Sequence, residues 1–337
     1  MTNKKKPLLS VRDLSVSLAI SRGGGIPILE SVSFDVAEGD VLGIVGESGC
    51  GKSLTALSIL RLLPKSAVVT SGQILFQGSD LLHKSESEMR ATRGNDIAMI
   101  FQEPMTSLNP VLTVGEQILE AIIYHERTTR LAARKRAIET LDIVGIPSPD
   151  RRIDDYPHQM SGGMRQRVMI AMALATNPKL LIADEPTTAL DVTVQAQILE
   201  LLRKLRADLG MSVIIITHDL GVISDFADRV MVMYSGRVVE ESTTRDLFDR
   251  PLHPYTEGLM RSIPHIDEDV ARLHTIEGIV PSLGEWPQGC RFHPRCPYST
   301  AACKGAVPEL VGYAPDHSVA CVRYEPSKQP RSQLASR

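Results

Sequence analysis

Residues 46 to 53, Gly-Glu-Ser-Gly-Cys-Gly-Lys-Ser, complete the pattern G-x-x-x-x-G-K-S. Successive backbone N–H groups at the start of a helix form a concave cradle for phosphate oxygens, and this is the pattern that builds one. Lys52 would reach the β- and γ-phosphates of a nucleoside triphosphate, and the Ser53 hydroxyl would ligate Mg²⁺. The flanks agree: the apolar run Val41 to Val45 predicts a strand before the loop, and Leu54 to Leu63 reads as a helix after it. Far downstream, Leu180-Leu181-Ile182-Ala183 predicts a buried strand that delivers Asp184 and Glu185 at its carboxyl end, where open α/β sheets bind ligands. Asp184 is suited to holding Mg²⁺, and Glu185 to orienting and deprotonating an attacking water.

A second anion site is written at Ser161-Gly162-Gly163, which opens the helical run from Met164 to Leu174. Gln102 ends the predicted strand Ile97 to Phe101, and His218 ends another, Ser212 to Thr217, which puts both side chains at the rim where a γ-phosphate would lie. Each feature has a plain reading: an empty glycine turn, a solvated acidic pair, a local hydrogen-bonding Gln or His. Their coincidence in one chain favours the chemistry.

These residues need a scaffold to hold them. Leu8 to Ile20 and Ile28 to Ala37 alternate apolar and polar residues as half-buried antiparallel strands do, with Arg22-Gly23-Gly24-Gly25 as the turn, and residues 72 to 77 add a short strand. From Thr113 to Gly145 the period becomes helical, and with the helix after Ser161 it makes an α-helical insertion of about 103–177, ended by Asn177-Pro178. The core then resumes with the Asp184 strand, a helix with apolar residues at Val194, Ile198, Leu201, Leu202, Leu205 and Leu209, the His218 strand, and a strand at Val230 to Tyr234. Strands alternating with helices predict an α/β fold with a mainly parallel sheet.

Gly46 to Ser53, Gln102, Ser161-Gly162-Gly163, Leu180 to Glu185, Ala189-Leu190-Asp191 and His218 together resemble, in order, the motifs of the nucleotide-binding subunits of ATP-binding cassette (ABC) transporters. The resemblance covers roughly residues 8 to 262 and implies a P-loop NTPase core with an antiparallel β subdomain and a helical insertion. It implies a head-to-tail pair of such subunits with ATP between the phosphate loop of one (Gly46, Glu47, Ser48, Gly49, Cys50, Gly51, Lys52, Ser53) and the Ser161 stretch of the other. Asp191 would couple the two sites; Ser53, Gln102 and Asp184 would hold Mg²⁺; and Glu185, His218, Lys52 and Gln102 would carry the chemistry. The loop Glu103 to Pro110, with its two prolines, would sense the γ-phosphate and meet a transmembrane subunit; as a plain linker it would join subdomains. Many of these ATPases stack adenine on an aromatic residue between the first two strands. Residues 19 to 29 contain none, so Ile26 is the substitute and weak base discrimination is expected.

Nine of the 21 prolines and four of the five cysteines lie in residues 263–337. Clustered cysteines in a chain without a secretory signal point to a metal site more than to disulfides, although the spacing of Cys290, Cys296, Cys303 and Cys321 fits neither a common zinc pair nor a ferredoxin run. Arg250 to Thr256 and Gly289-Cys290-Arg291-Phe292-His293-Pro294-Arg295-Cys296-Pro297 are similar to the C-terminal extension of the dipeptide, oligopeptide and nickel importer ATPases. That resemblance implies a [4Fe-4S] cluster on the four cysteines; a zinc site comes second, and free thiols are the plain reading. The domains expected are therefore 1–262 for nucleotide binding and 263–337 for a Cys/Pro-rich extension. Cys50 is taken as a small packing residue, not a reactive thiol.

No apolar segment approaches the roughly 20 residues that cross a bilayer, the basic start lacks the apolar core of a signal peptide, and a net charge of -3 with dispersed basic residues predicts no nucleic-acid partner. The family implies a peripheral protein at the cytoplasmic face of the inner membrane. It also implies a second, related but different ATPase chain, two transmembrane permease subunits and an extracytoplasmic solute-binding protein. The function expected is ATP hydrolysis that powers import of dipeptides, oligopeptides or related solutes. A soluble ABC-type ATPase acting on nucleic acid or ribosomes is the alternative, but the second cassette or long coiled coil usual in such proteins is missing; Glu185 and His218 argue against a module that only binds nucleotide.

Overall fold

The computed structural model describes residues 6–20, 24–102, 107–188, 190–262 and 275–324. Arg22 and Gly23 of the expected turn, 103–106 of the proline-flanked loop and Ala189 beside Asp191 lie outside these residues. The chain forms two compact units, one from residues 1–9, 35–41 and 75–216, the other from 10–34, 42–74 and 217–337.

Strand β1 spans Pro7–Ile20 and β2 spans Gly24–Ala37. Their alternation is reset once in each strand: Val11 is followed by Leu14 and Leu29 by Val32 on the buried side, and the intervening Asp13 and Ser31 have positive φ. An extra left-handed residue of this kind turns the following side chains back toward the same face. Within the second unit, residues 10–20, 24–34 and 67–74 pair in the order β2-β1-β4, where β4 is Ala67–Phe76. Both β2 and β4 start several residues earlier than their patterns predict, because cross-strand pairing overrides the low strand propensity of Gly24, Gly25 and Gly72. Strand β3, Val41–Val45, is buried throughout and runs through the glycine loop into α1, Lys52–Ile59.

The first unit opens with a two-residue strand β5, Ser79–Asp80, paired with β4, and helix α2, Glu86–Thr92, whose Ser85 cap is answered by Glu88. Strand β6 (Ile97–Ile100) precedes the helices α3 (Val114–His125), α4 (Arg130–Ile143), α5 (Pro149–Arg152) and α6 (Gly162–Leu174). Helix α3 packs on α4 and both pack on α6, burying Ile118, Ile122, Ala133, Ala137, Leu141 and Val168. Then follow β7 (Leu180–Asp184), α7 (Val192–Leu209) and β8 (Ser212–Ile216). The strands run parallel as β6-β7-β8 in the register Ile97, Leu180, Ser212. Both faces of β7 and β8 are covered, which is why they read as unbroken apolar runs.

The second unit resumes with α8 (Leu220–Phe226), β9 (Arg229–Tyr234), β10 (Arg237–Thr243), α9 (Thr244–Asp249) and α10 (Pro254–Arg261). Its C-terminal part adds β11 (Val311–Ala314) and β12 (His317–Val319). Strand β3 lies parallel to β9, and β9-β10-β12-β11 continue antiparallel. Glu240 on β10 is wholly buried. Its carboxylate accepts the Leu252 and His253 N–H groups, both at 2.8 Å, and meets His317 Nε2 at 2.7 Å. One anion thereby joins β10, the start of α10 and β12. Phe292 plugs the same region, with its ring 5.2 Å from Tyr234 and 5.4 Å from Tyr255.

Candidate nucleotide-binding site

The phosphate loop leaves β3 at Gly46, where φ is 151° and an added Cβ would stand 2.2 Å from the Met233 carbonyl oxygen. Gly51, with φ of 104°, ends the loop as the N-cap of α1, and a Cβ there would strike Leu29. Only glycine satisfies both conformation and space at these two positions. Cys50 N–H donates to the Glu47 carbonyl, and Gly236 N–H donates to the Cys50 carbonyl at 2.9 Å, which closes the turn onto the β9–β10 hairpin. The Lys52 ammonium lies across the loop, donating to the carbonyls of Gly46 at 2.7 Å and Glu47 at 3.2 Å. Ser48 and Gly49 are exposed, and Ser53 is the second residue of the helix. Cys50 is fully buried and burial pushes its thiol up, so it packs as a small residue and is no thiolate.

Two further residues hold the loop, and the sequence pattern did not single them out. The Tyr255 hydroxyl accepts the Glu47 N–H at 2.8 Å; burial raises that phenol and keeps it neutral. Arg295 spans both oxygens of the Glu47 carboxylate, at 2.6 and 3.0 Å. Close by, Arg291 is inserted between Glu30 and the Ser235 carbonyl, and its guanidinium lies 3.3 Å from the centroid of the Trp286 ring. Burial lowers Arg291 to about 10. Ile26 is half-buried on β2, and the segment through Gly284 lies against it: a Cβ on Gly284 would be 3.4 Å from Ile26 Cγ2. His218 follows β8 and is exposed; Thr217 N–H donates to the Ile44 carbonyl at 3.3 Å, and Asp219 caps α8.

In the first unit, Asp184 ends β7 almost fully buried, and Glu185 follows with φ of 47°. A bulky residue in the left-handed region is strained and needs a surround that imposes it. Here Glu185 N–H donates to the Ile216 carbonyl at 2.8 Å, while its carboxylate accepts Gln102 Nε2 at 3.0 Å and Thr188 Oγ1 at 2.8 Å. Gln166, buried on α6, donates to the Pro186 carbonyl, so the helix opened by Ser161 is tied to the turn after Glu185. Ser161 caps α6 by accepting the Met164 N–H, Gly162 has open space around it, and Gly163 faces Val194. Asp191 caps α7 through the Val194 N–H at 2.9 Å. Gln102, Asp184, Glu185, Ser161 and Asp191 thus belong to one unit, and the phosphate loop, Ile26 and His218 to the other.

The four extension cysteines line one small cavity, with His253, His293 and Phe292 among the other walls. Burial raises Cys290 and Cys296, and it pushes Cys321 up to about 11. Among the described residues no three cysteines, histidines or acids close tightly enough to hold a single metal ion. Nor is any described helix long and apolar enough to cross a membrane.

The ABC transporter family matches residues 29–188, and the oligopeptide/dipeptide transporter C-terminal region matches residues 239–303. The dipeptide transport ATP-binding protein DppD of Bacillus subtilis strain 168 is 52% identical over 315 residues, 93% of this chain and 94% of that protein. The oligopeptide transport ATP-binding protein AppD of the same strain is 52% identical over 301 residues, 89% and 92% of the two chains. Among solved structures, a dimeric post-hydrolysis state of the ATP-binding cassette MJ0796 bound to ADP and Pi superposes with a TM-score of 0.63. It is 31% identical, and the match covers 70% of this chain and 99% of that one. With the phosphate loop, the buried strand ending in Asp184-Glu185 and both family regions in place, the chain belongs to the ABC transporter family, among the ATP-binding subunits that carry the oligopeptide/dipeptide C-terminal region.

Proposed function

We propose that this chain hydrolyses ATP to drive import of dipeptides or oligopeptides through partner transmembrane subunits. What supports this most is the setting of Glu185: a carboxylate at the end of a buried strand, held in a strained backbone conformation and aimed by Gln102 and Thr188. A rigid, oriented base is what water activation requires. The loop amides between Gly46 and Ser53 other than those of Glu47 and Cys50, together with the Lys52 ammonium, hold the phosphates. Ser53, Gln102 and Asp184 are the residues that would hold Mg²⁺, which would supply neutralising charge to the phosphates when bound. Glu185 takes the proton of the attacking water, and His218 holds the γ-phosphate in line. Ser161, Gly162 and Gly163 serve the ATP of a second, related ATPase chain, and Asp191 couples the two.

Residues 1–262 act as the nucleotide-binding domain, 103–177 as its helical subdomain and 263–337 as the extension. The subunit sits on the cytoplasmic face of the membrane through two permeases that receive solute from an extracytoplasmic binding protein. The extension cysteines hold a [4Fe-4S] cluster, with zinc second. What supports a soft-metal group here is that all four cysteines line one cavity. When bound, such a group would tie together loops that have little core of their own. The test is peptide uptake into proteoliposomes that contain the permeases and binding protein with ATP at the ATPase face. Uptake is expected only with this chain present, and undiminished uptake without it would overturn the proposal.

A further inference from the structure

A phosphate loop exists to receive a highly negative ligand, yet its second residue here is Glu47. Left alone, that carboxylate would repel the phosphates it adjoins. It is not left alone. Arg295 bridges both of its oxygens at 2.6 and 3.0 Å, the planar two-pronged pairing that guanidinium and carboxylate form best. The Arg295 side chain is only 4% exposed. Its remaining donors are fixed by the Glu277 carbonyl at 3.0 Å, the Ile276 carbonyl at 3.2 Å and the Tyr234 hydroxyl at 3.4 Å, and it lies over the Tyr234 and Phe292 rings at 5.8 and 5.9 Å. A guanidinium gripped on every side holds its partner instead of following it. The Glu47 N–H is fixed by Tyr255, so both ends of this loop residue are set by residues beyond 254.

We infer that Arg295 is a positioning residue of the ATP site: by neutralising and orienting Glu47, the C-terminal extension sets how well the phosphate loop accepts nucleotide. Arg295 acts through Glu47, and the inference rests on the loop binding ATP as proposed above. Removing the arginine exposes a bare anion at the site. Removing the carboxylate as well removes the repulsion. A residue that merely propped up the fold would give no such recovery.

The experiment is calorimetric titration of Mg·ATP into the full chain carrying R295M, E47Q, the double substitution or R295K, at low and high salt, with the thermal unfolding midpoint of each recorded. R295M is expected to weaken binding about tenfold at low salt and less at high salt. E47Q should bind at least as well as the wild type, and the double variant should return to within about threefold of it. R295K keeps a charge without the fork, so it folds most readily and should lose affinity in the same direction by a smaller factor. Wild-type affinity in R295M or R295K, or a double variant as weak as R295M, would overturn the inference alone. A wild-type chain that binds no Mg·ATP would overturn the reading of the loop and this inference with it.

Discussion

Gln102 Nε2 donates to Glu185 Oε2 across 3.0 Å, joining the end of β6 to the end of β7, 83 residues apart in sequence. Thr188 Oγ1 donates to the same oxygen at 2.8 Å, so two side chains fix the carboxylate's orientation. If Glu185 is the base that activates water, E185Q should keep ATP affinity and slow phosphate release about a hundredfold or more. Equilibrium binding and steady-state turnover, measured on the same preparation, decide it; unaltered turnover removes Glu185 from the role.

Gly46 should tolerate no side chain. G46A places a methyl group 2.2 Å from the Met233 carbonyl oxygen in a conformation that alanine resists. The combined cost is roughly 3 kcal/mol. The expected result is a lower unfolding midpoint and loss of nucleotide binding. A G46A protein with wild-type affinity would show that the loop moves freely.

Acid should loosen the lobe around α10. Burial holds His253 neutral, lowering it from 6.5 to about 4, and the Glu240 carboxylate opposes this only in part; His317 shares that carboxylate. The unfolded chain therefore takes up a proton that the folded chain refuses, so stability from this group is complete above pH 6.5 and declines as pH falls toward 4. The full loss is roughly 3 kcal/mol. H253N can still accept the Tyr255 N–H without titrating, so its midpoint should depend less on pH over that window. An identical slope in both proteins would exclude His253 as the source.

If Ile26 stands in for the aromatic ring that stacks on a base, the stacking forgone is about 1 kcal/mol. GTP should therefore be hydrolysed beside ATP, within about tenfold in kcat/KM. Competition assays with both nucleotides test this, and strict selection of ATP would show that base recognition lies elsewhere.

The candidate site residues stand out in sequence because they ride on the strongest one-dimensional signals a chain has. Unbroken apolar runs mark β3, β7 and β8, and each of Gly46, Asp184 and His218 comes within two residues of such a run. The residues that support them were not legible. Arg295 and Glu47 are 248 positions apart, and no local period connects them. In sequence Arg295 stood out only as one residue of the stretch Gly289 to Pro297. Nor does any local pattern mark Glu240, whose partners are the amides of Leu252 and His253 and the ring of His317. The short strands β11 and β12 exist only because β10 offers them an edge.

Glu240 also bears on how far this protein can be trimmed. A shortened cassette ending before residue 317 would lose both the imidazole that faces the carboxylate and the β12 strand that pairs with β10 there, leaving Glu240 with only the amides of Leu252 and His253. Anyone seeking a minimal version, or any lineage that discarded the tail, would have to rewrite position 240 in the same step.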